Sequence, residues 1–304
     1  MASTILGHIS NVRRRNLRER VIEFLLFLAA FSSVLVTTAI VVILVYESYT
    51  FFRHVPIGLF LTDTMWTPLF EQPRYGILPL LCGTLLSTAV ALIVAIPLGL
   101  VVAIYLSEFA HPRMREVVKP FLEILGGIPT VVYGYFALLA VTPLLQTIIP
   151  GLPTFNVLSA GIVIGIMIIP YISSVSEDAM RAVPNGLREA SYATGATKLQ
   201  TAWKVVVPAA ISGIAAAFVL GISRAVGETM VVAIAAGQQP NLTLDPTQPA
   251  ATITAYIVQV ALGDLPHGSI GYQTIFAAGL TLLVITLFFN VVAHVLRTRY
   301  REAY

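Results

Sequence analysis

Two ionisable residues, Arg224 and Glu228, lie deep inside an apolar stretch that runs from about 208 to 237. An arginine at the centre of a membrane helix costs at least about 2.5–3.5 kcal/mol to insert, so its presence needs a reason. On a continuous helix the two side chains would stand one turn apart on the same face, a spacing that allows an ion pair. Two readings stay open from the residues alone. In one, the pair only fixes helix packing. In the other, it lines a path for an anion, because intramembrane charges usually face a bundle interior or an aqueous cavity. Arginine's planar fork suits phosphate and similar oxyanions better than lysine's point charge. A Glu228 carboxylate could accept a hydrogen bond from a protonated oxyanion such as monohydrogen phosphate, but has nothing to accept from sulfate.

A second constellation is polar. Between 173 and 207 the chain mixes charges, alanines and turn formers. Pro184-Asn185-Gly186 ends one short segment, Leu187 to Thr194 can form about two helical turns, and Gly195 breaks them before Thr197 to Val206 starts another. Such a segment reads either as an amphipathic surface helix or as a docking surface for a partner. The chain contains no G-x-x-x-x-G-K-[ST] loop, no H-E-x-x-H and no G-x-S-x-G elbow. Its five histidines are scattered, and its one cysteine, Cys82, forms no internal disulfide or cysteine cluster. These residues point to no covalent chemistry and no ATP hydrolysis by this chain alone.

The elements that must position these residues belong in lipid. The chain is 57% hydrophobic and 11% charged, with a mean hydropathy of +0.85, whereas soluble domains have about 45–50% apolar and about 25% charged residues. Residues 1–20 form a basic arm, and 21–304 read as a single transmembrane domain. Apolar stretches at about 22–46, 77–106, 120–146, 157–174, 208–237 and 271–296 are each near the roughly 20 residues needed to cross about 30 Å of hydrocarbon. Backbone groups cannot go unpaired in lipid, so the expected fold is all-α with six transmembrane helices. The first stretch follows five arginines without a small-x-small cleavage site and reads as an uncleaved anchor.

Basic residues give an orientation. Of the 18 Lys and Arg residues, the N-terminal arm carries five, the 107–119 loop three, the 173–207 loop four and the C-terminal tail three. Arg53 and Arg74 fall on the opposite side. Positive loops stay inside, so both termini are expected to be cytoplasmic. Of the outer loops, 47–76 is rich in aromatics and suits an interfacial layer, while Ile253 to Leu262 could dip back into the membrane. Gly161-x-x-x-Gly165 is a candidate helix contact.

The cytoplasmic loop also carries a resemblance. Glu189-Ala190-Ser191, then Gly195, then Val205-Val206-Val207-Pro208 resembles the Glu-Ala-Ala loop of ABC-type importer permeases at the family's spacing, with Ser for an Ala and Val for Ile and Leu. The run Arg224-Ala-Val-Gly-Glu-Thr-Met-Val-Val looks like the PstC permeases of phosphate importers. So do Trp66-Thr-Pro-Leu-Phe, Tyr75-Gly-Ile-Leu-Pro-Leu-Leu-Cys-Gly-Thr, Gly127-Ile-Pro-Thr-Val-Val-Tyr-Gly and Ile169-Pro-Tyr-Ile. The likeness covers about residues 20–297. It implies a MetI-like type I permease in a plasma (inner) membrane, paired with a PstA-like permease, two copies of a PstB-like ATPase and an outer PstS-like phosphate-binding protein.

On that resemblance, Glu189, Ala190, Gly195 and Pro208 belong to the loop, within 175–207 and its end, that docks on the ATPase. Arg224 and Glu228 lie on the phosphate path, with Glu228 orienting the arginine. This chain itself holds no cofactor, and ATP and Mg²⁺ sit on the partner ATPase. The competing readings are a permease for another oxyanion (molybdate, sulfate), a lone ion-coupled carrier, and a membrane sensor or scaffold. The carrier reading is weakened by the lack of inverted repeats.

Overall fold

The computed structural model describes residues 2–299, so Arg301 of the basic tail lies outside the described residues. Among them the chain is helical, apart from an isolated antiparallel bridge between Trp66 and Tyr75. Five helical stretches are long and apolar enough to cross a membrane: Glu19–Phe52, Leu78–Phe109, Thr130–Ile148, Val157–Arg181 and Ile270–Val292. A sixth is made by a bent pair, Lys198–Ala209 with Ile211–Val226, whose axes differ by 75°.

The first helix, α1 (Ala2–Phe52), runs from within the basic arm through the first apolar stretch. A short α2 (Ile57–Thr62) follows on the side away from the arm. α3 (Leu78–Ile104) ends in a π-helical turn, Tyr105–Phe109. α4 (Pro112–Gly127) is charged and amphipathic and buries none of its residues. It stops because Ile128 precedes Pro129 and is extended (φ −65°, ψ 131°), as a residue before proline prefers. The expected 120–146 span is therefore not one helix. Its crossing part begins afresh at α5 (Thr130–Phe136), which continues through a π-helical turn into α6 (Thr142–Ile148).

The centre of the molecule is the packing of α3 against α7 (Val157–Arg181). Gly161 and Gly165 make that approach possible. A Cβ on Gly161 would meet Val90, and one on Gly165 would meet the Ala91 carbonyl and Val94. Around this contact lies a core that includes Ala91, Ala95, Ile164, Ile168 and Ile172. Beyond the 174 expected from hydropathy, α7 continues to Arg181, because its polar last turns are held by side chains of α4 (below).

The loops at the end of the bundle away from the N-terminal arm fold into a cap. Phe51, Phe52, Phe60, Trp66, Tyr75 and Tyr256 form a chain of edge-to-face aromatic contacts with centroids 5.0–6.2 Å apart. Such pairs contribute roughly 0.5–1.5 kcal/mol each beyond area burial. Tyr256 lies on α13 (Ile253–Ala261), the segment expected to dip into the membrane; it buries Ile253, Ala255, Tyr256 and Val260 within the protein. Burial pushes the Tyr256 phenol up to about 12, and its hydroxyl shares a 2.7 Å hydrogen bond with Thr274 of α14 (Ile270–Arg299). Much of α1 packs only on α14 and leaves apolar side chains such as Phe24, Leu26, Val34 and Ile40 exposed, as lipid contact requires.

Candidate functional site

The polar segment after α7 folds as its punctuation predicts. α8 (Asn185–Ala193) starts after Pro184, earlier than Leu187. Gly195 follows with φ +83°, a left-handed conformation that a side chain would strain. α9 (Lys198–Thr201) opens with a capping box: the Thr197 hydroxyl accepts from the Gln200 N–H and the Gln200 side chain accepts from the Thr197 N–H. A π-helical turn (Ala202–Val206) leads into α10 (Val207–Ala209), which contains Pro208. Glu189, Ala190, Gly195 and Pro208 are all exposed. Beside them the large side chains Tyr192, Leu199 and Trp203 also face outward. The opposite face is anchored by Leu187, Ala202 and Val206 against Ile104, Met180 and Ile214.

Arg188 sets the angle of this segment. Its guanidinium is bidentate on Glu108 (Nη2 to Oε1 2.9 Å, Nε to Oε2 3.2 Å) and also donates to the Met180 and Val183 carbonyls. One side chain thus ties α8 to the ends of α3 and α7. Nothing local in the sequence marks Arg188, although it adjoins Glu189, because its partner is 80 residues away.

A few residues further in, Glu177 is fully buried on α7. Its carboxylate meets Arg115 Nε at 2.6 Å, Lys119 Nζ at 3.0 Å and Arg181 Nη1 at 3.9 Å. The Arg115 contact is an ion contact whose angle falls short of a hydrogen bond. Burial works against the Lys119 ammonium, but its hydrogen bonds to Asp178 and Glu177 outweigh that and raise its pKa. The sequence signal was the i, i+4 pair Arg115 and Lys119 on one face of α4.

The fifth apolar stretch departs most from expectation. It bends at Ala210, and α11 (Ile211–Val226) ends at Gly227, ten residues short of 237. Sixteen residues give about 24 Å, less than the hydrocarbon thickness. After the break, α12 (Met230–Ala235) begins. Arg224 therefore sits in the last turn of α11, whereas Glu228 lies in the break. The expected ion pair does not form: Glu228 Oε1 instead accepts from the Met230 and Val231 N–H groups at 3.1 and 3.2 Å. The Glu228 carbonyl accepts from the Thr254 hydroxyl at 2.7 Å. A buried carboxylate that caps the next helix satisfies donors that lipid cannot, and this removes it from the arginine. Glu228 Oε2 makes no hydrogen bond among the described residues.

Arg224 has a different neighbour. Its guanidinium carbon stands 4.2 Å from the Tyr171 ring centroid, and the Tyr171 hydroxyl donates to the Gly126 carbonyl at 2.9 Å, next to the break between α4 and α5. Arg224 Nε is buried and has no hydrogen-bond partner. A cation–π contact recovers about 0.5–2 kcal/mol, part of the roughly 2.5–3.5 kcal/mol that a central arginine costs. The contact therefore leaves part of that cost uncompensated. Tyr171 lies in the Ile169-Pro-Tyr-Ile run, but its pairing with Arg224 spans 53 positions and carries no local signal. The site residues form two groups, Pro208 before the bend at Ala210 and Arg224 in the last turn of α11 beyond it.

A family model described as binding-protein-dependent transport system inner membrane component matches residues 95–302. The chain is 38% identical to a probable ABC transporter permease protein YqgH of Bacillus subtilis, over 79% of this chain and 77% of that protein. It is 33% identical to the phosphate transport system permease protein PstC of Mesorhizobium japonicum (79% and 78% covered) and 32% identical to PstC of Haemophilus influenzae (81% and 82%). Among solved structures, a chain of a bacterial alginate ABC transporter in complex with alginate pentasaccharide-bound periplasmic protein superposes with a TM-score of 0.65 at 16% identity, covering 92% of this chain and 96% of that one. A chain of the MetNI methionine ABC transporter gives 0.55 at 18%, covering 75% and 95%. At those identities the structures speak for the fold alone.

Proposed function

The chain belongs to the family of binding-protein-dependent transport system inner membrane components; it is a multi-pass inner-membrane permease of the ABC importer type, and we propose that its cargo is inorganic phosphate. The observation that carries this reading is the unpaired, partly buried Arg224 guanidinium held face-on by Tyr171. An arginine deep in a bundle without a carboxylate partner is set to meet an anion, and its fork matches two oxygens of a tetrahedral oxyanion. The names of the PstC relatives support phosphate among such anions.

In this reading Arg224 gives the passing anion a transient partner. Glu228 holds the break between α11 and α12 open by capping α12, and its uncommitted Oε2 accepts from a protonated oxyanion. One arginine and one carboxylate oxygen do not complete a cage and bind weakly, which a path requires: a full-strength site would trap the ion. The exposed strip of Glu189, Ala190, Tyr192, Leu199 and Trp203 docks on a separate cytoplasmic ATPase, where ATP and Mg²⁺ bind, and Gly195 sets the turn between its two helices. A related PstA-like permease completes the path, a PstB-like ATPase dimer drives it and a PstS-like protein delivers phosphate. Both termini of this chain then lie in the cytoplasm, with residues 1–20 as a basic arm and 21–304 as one permease domain.

The test is purification of the tagged chain from its native membranes in mild detergent, followed by ATP-driven uptake of labelled phosphate into vesicles. Recovery with a second permease and a P-loop ATPase, and uptake resisted by excess phosphate but not by sulfate or molybdate, is the expected result. Recovery of the chain alone returns the lone-carrier reading to first place. Competition by sulfate or molybdate instead assigns a different oxyanion.

A further inference from the structure

Apart from Arg224, uncommitted positive charge gathers where α3, α4, α7, α8 and α9 meet. A cavity of about 420 Å³ opens there, with Arg115, Arg181, Arg188, Lys198, Glu108 and Tyr192 in its wall. Two of the cations are committed: Arg188 to Glu108, and Arg115 through Nε to Glu177. The other two are not. Arg181 is half exposed and stays 3.9 Å from the already doubly contacted Glu177. Lys198 has no carboxylate partner, and its ammonium stands 5.3 Å above the Phe109 ring. With Arg188 paired to Glu108 and Arg115 to Glu177 behind the wall, Arg181 and Lys198 leave an excess of two positive charges around one concave, partly desolvated space. Like charges gathered this way repel, and the repulsion is relieved when an anion enters.

We propose that this cavity is a second oxyanion site, distinct from the Arg224 region, for a phosphate dianion: free inorganic phosphate or the phosphomonoester headgroup of an anionic lipid. The charge excess matches a dianion. Arg181 supplies a planar fork, while Lys198 and the Tyr192 hydroxyl supply further donors. The volume accommodates such an ion with several waters, each needing about 30 Å³. An occupant there bridges α7, through Arg181, to α8 and α9, through Tyr192 and Lys198, so it braces the docking segment against the bundle. The site shares no wall residue with the contacts of Arg224 and does not depend on which cargo the chain carries.

The chain has three lysines, Lys119, Lys198 and Lys204, which makes amine acylation read by mass spectrometry a local probe. Lys204 is exposed, lies outside the cavity wall and serves as the reference. In discs of phosphatidylcholine, inorganic phosphate slows acylation of Lys198 severalfold relative to Lys204, and sodium chloride at matched ionic strength does not. Arg181→Gln abolishes the protection, and Arg224→Gln leaves it intact. Protection by phosphatidic acid in the disc without added phosphate assigns the headgroup as the source; protection by phosphate alone assigns the soluble ion. The proposal is overturned if neither anion changes the Lys198 to Lys204 ratio, if Arg181→Gln keeps the protection, or if Arg224→Gln removes it. A failed phosphate-uptake assay leaves this readout untouched, so the two readings fail separately.

Discussion

Glu177 and Arg224 are both ionisable groups inside the bundle, and the protein treats them in opposite ways. The Glu177 carboxylate is fully buried and has cations on three sides, from α4 and from its own helix. Arg224 has an aromatic face, a buried Nε without an acceptor, and a nearby carboxylate turned away to cap another helix. A charge surrounded by partners holds elements together. A charge left short of partners is available to a visitor. The contrast lies in the partners more than in burial alone: Glu177 is fully buried among cations, and Arg224 is partly buried without an anion.

The largest effect should come from the structural member. Glu177→Ala strands Arg115 beside a vacated pocket and leaves Lys119 with Asp178 alone, and breaking a buried pair of this kind costs about 3–5 kcal/mol. We expect a large drop in unfolding temperature in detergent; an unchanged one would show that the cluster bears no load. Arg224→Gln should behave in reverse, with unfolding temperature preserved and transport lower by about 10–100-fold, the equivalent of one lost charge-assisted contact. The double swap Arg224→Glu with Glu228→Arg should fail to restore uptake, because the native pair is not formed; restored uptake would mean that pairing alone matters.

Tyr171 sharpens the comparison at smaller scale. Tyr171→Phe keeps the ring over Arg224 and loses a hydrogen bond to Gly126 worth about 0.5–1.5 kcal/mol, mostly visible as stability. Tyr171→Leu removes the ring face as well, about 0.5–2 kcal/mol of support for the cation, and should lower uptake below that of the Phe variant. Equal uptake in the two would mean that the ring does not position the guanidinium.

The smallest effect belongs to the exposed edge of the cap. The hydrogen bond from Arg74 holds the Asp63 carboxyl below its ordinary 3.8. A depressed folded value means the contribution is present above pH 3.8 and lost as pH falls through the lower folded value. Asp63→Asn should therefore lower the melting temperature slightly at neutral pH and not at all once the pH is below that window.

Gly161 and Gly165 were legible as a contact because small residues four apart on a membrane helix permit close approach whatever lies opposite; only packing revealed that α3 is the partner. The left-handed turn at Gly195 and the capping box at Thr197 were equally local and equally legible. The pair Arg224 and Glu228 was legible as unusual but not in its geometry. A glycine inside an apolar stretch does not by itself announce a helix end, and the break at Gly227 depends on Glu228 reaching the Met230 and Val231 N–H groups and on Thr254 reaching the Glu228 carbonyl.

The sequence by itself determined that this chain lives in lipid, how its basic residues divide among the loops, and where the polar segment after α7 turns, because hydropathy, charge and turn chemistry act within a few residues. Only the tertiary structure decided which charges are satisfied. Arg188 with Glu108, Glu177 with Arg115, and Arg224 over Tyr171 join positions about 50 to 80 residues apart. The free energy of a buried charge depends on the atoms within a few ångströms of it, and those atoms come from helices that only the fold brings together.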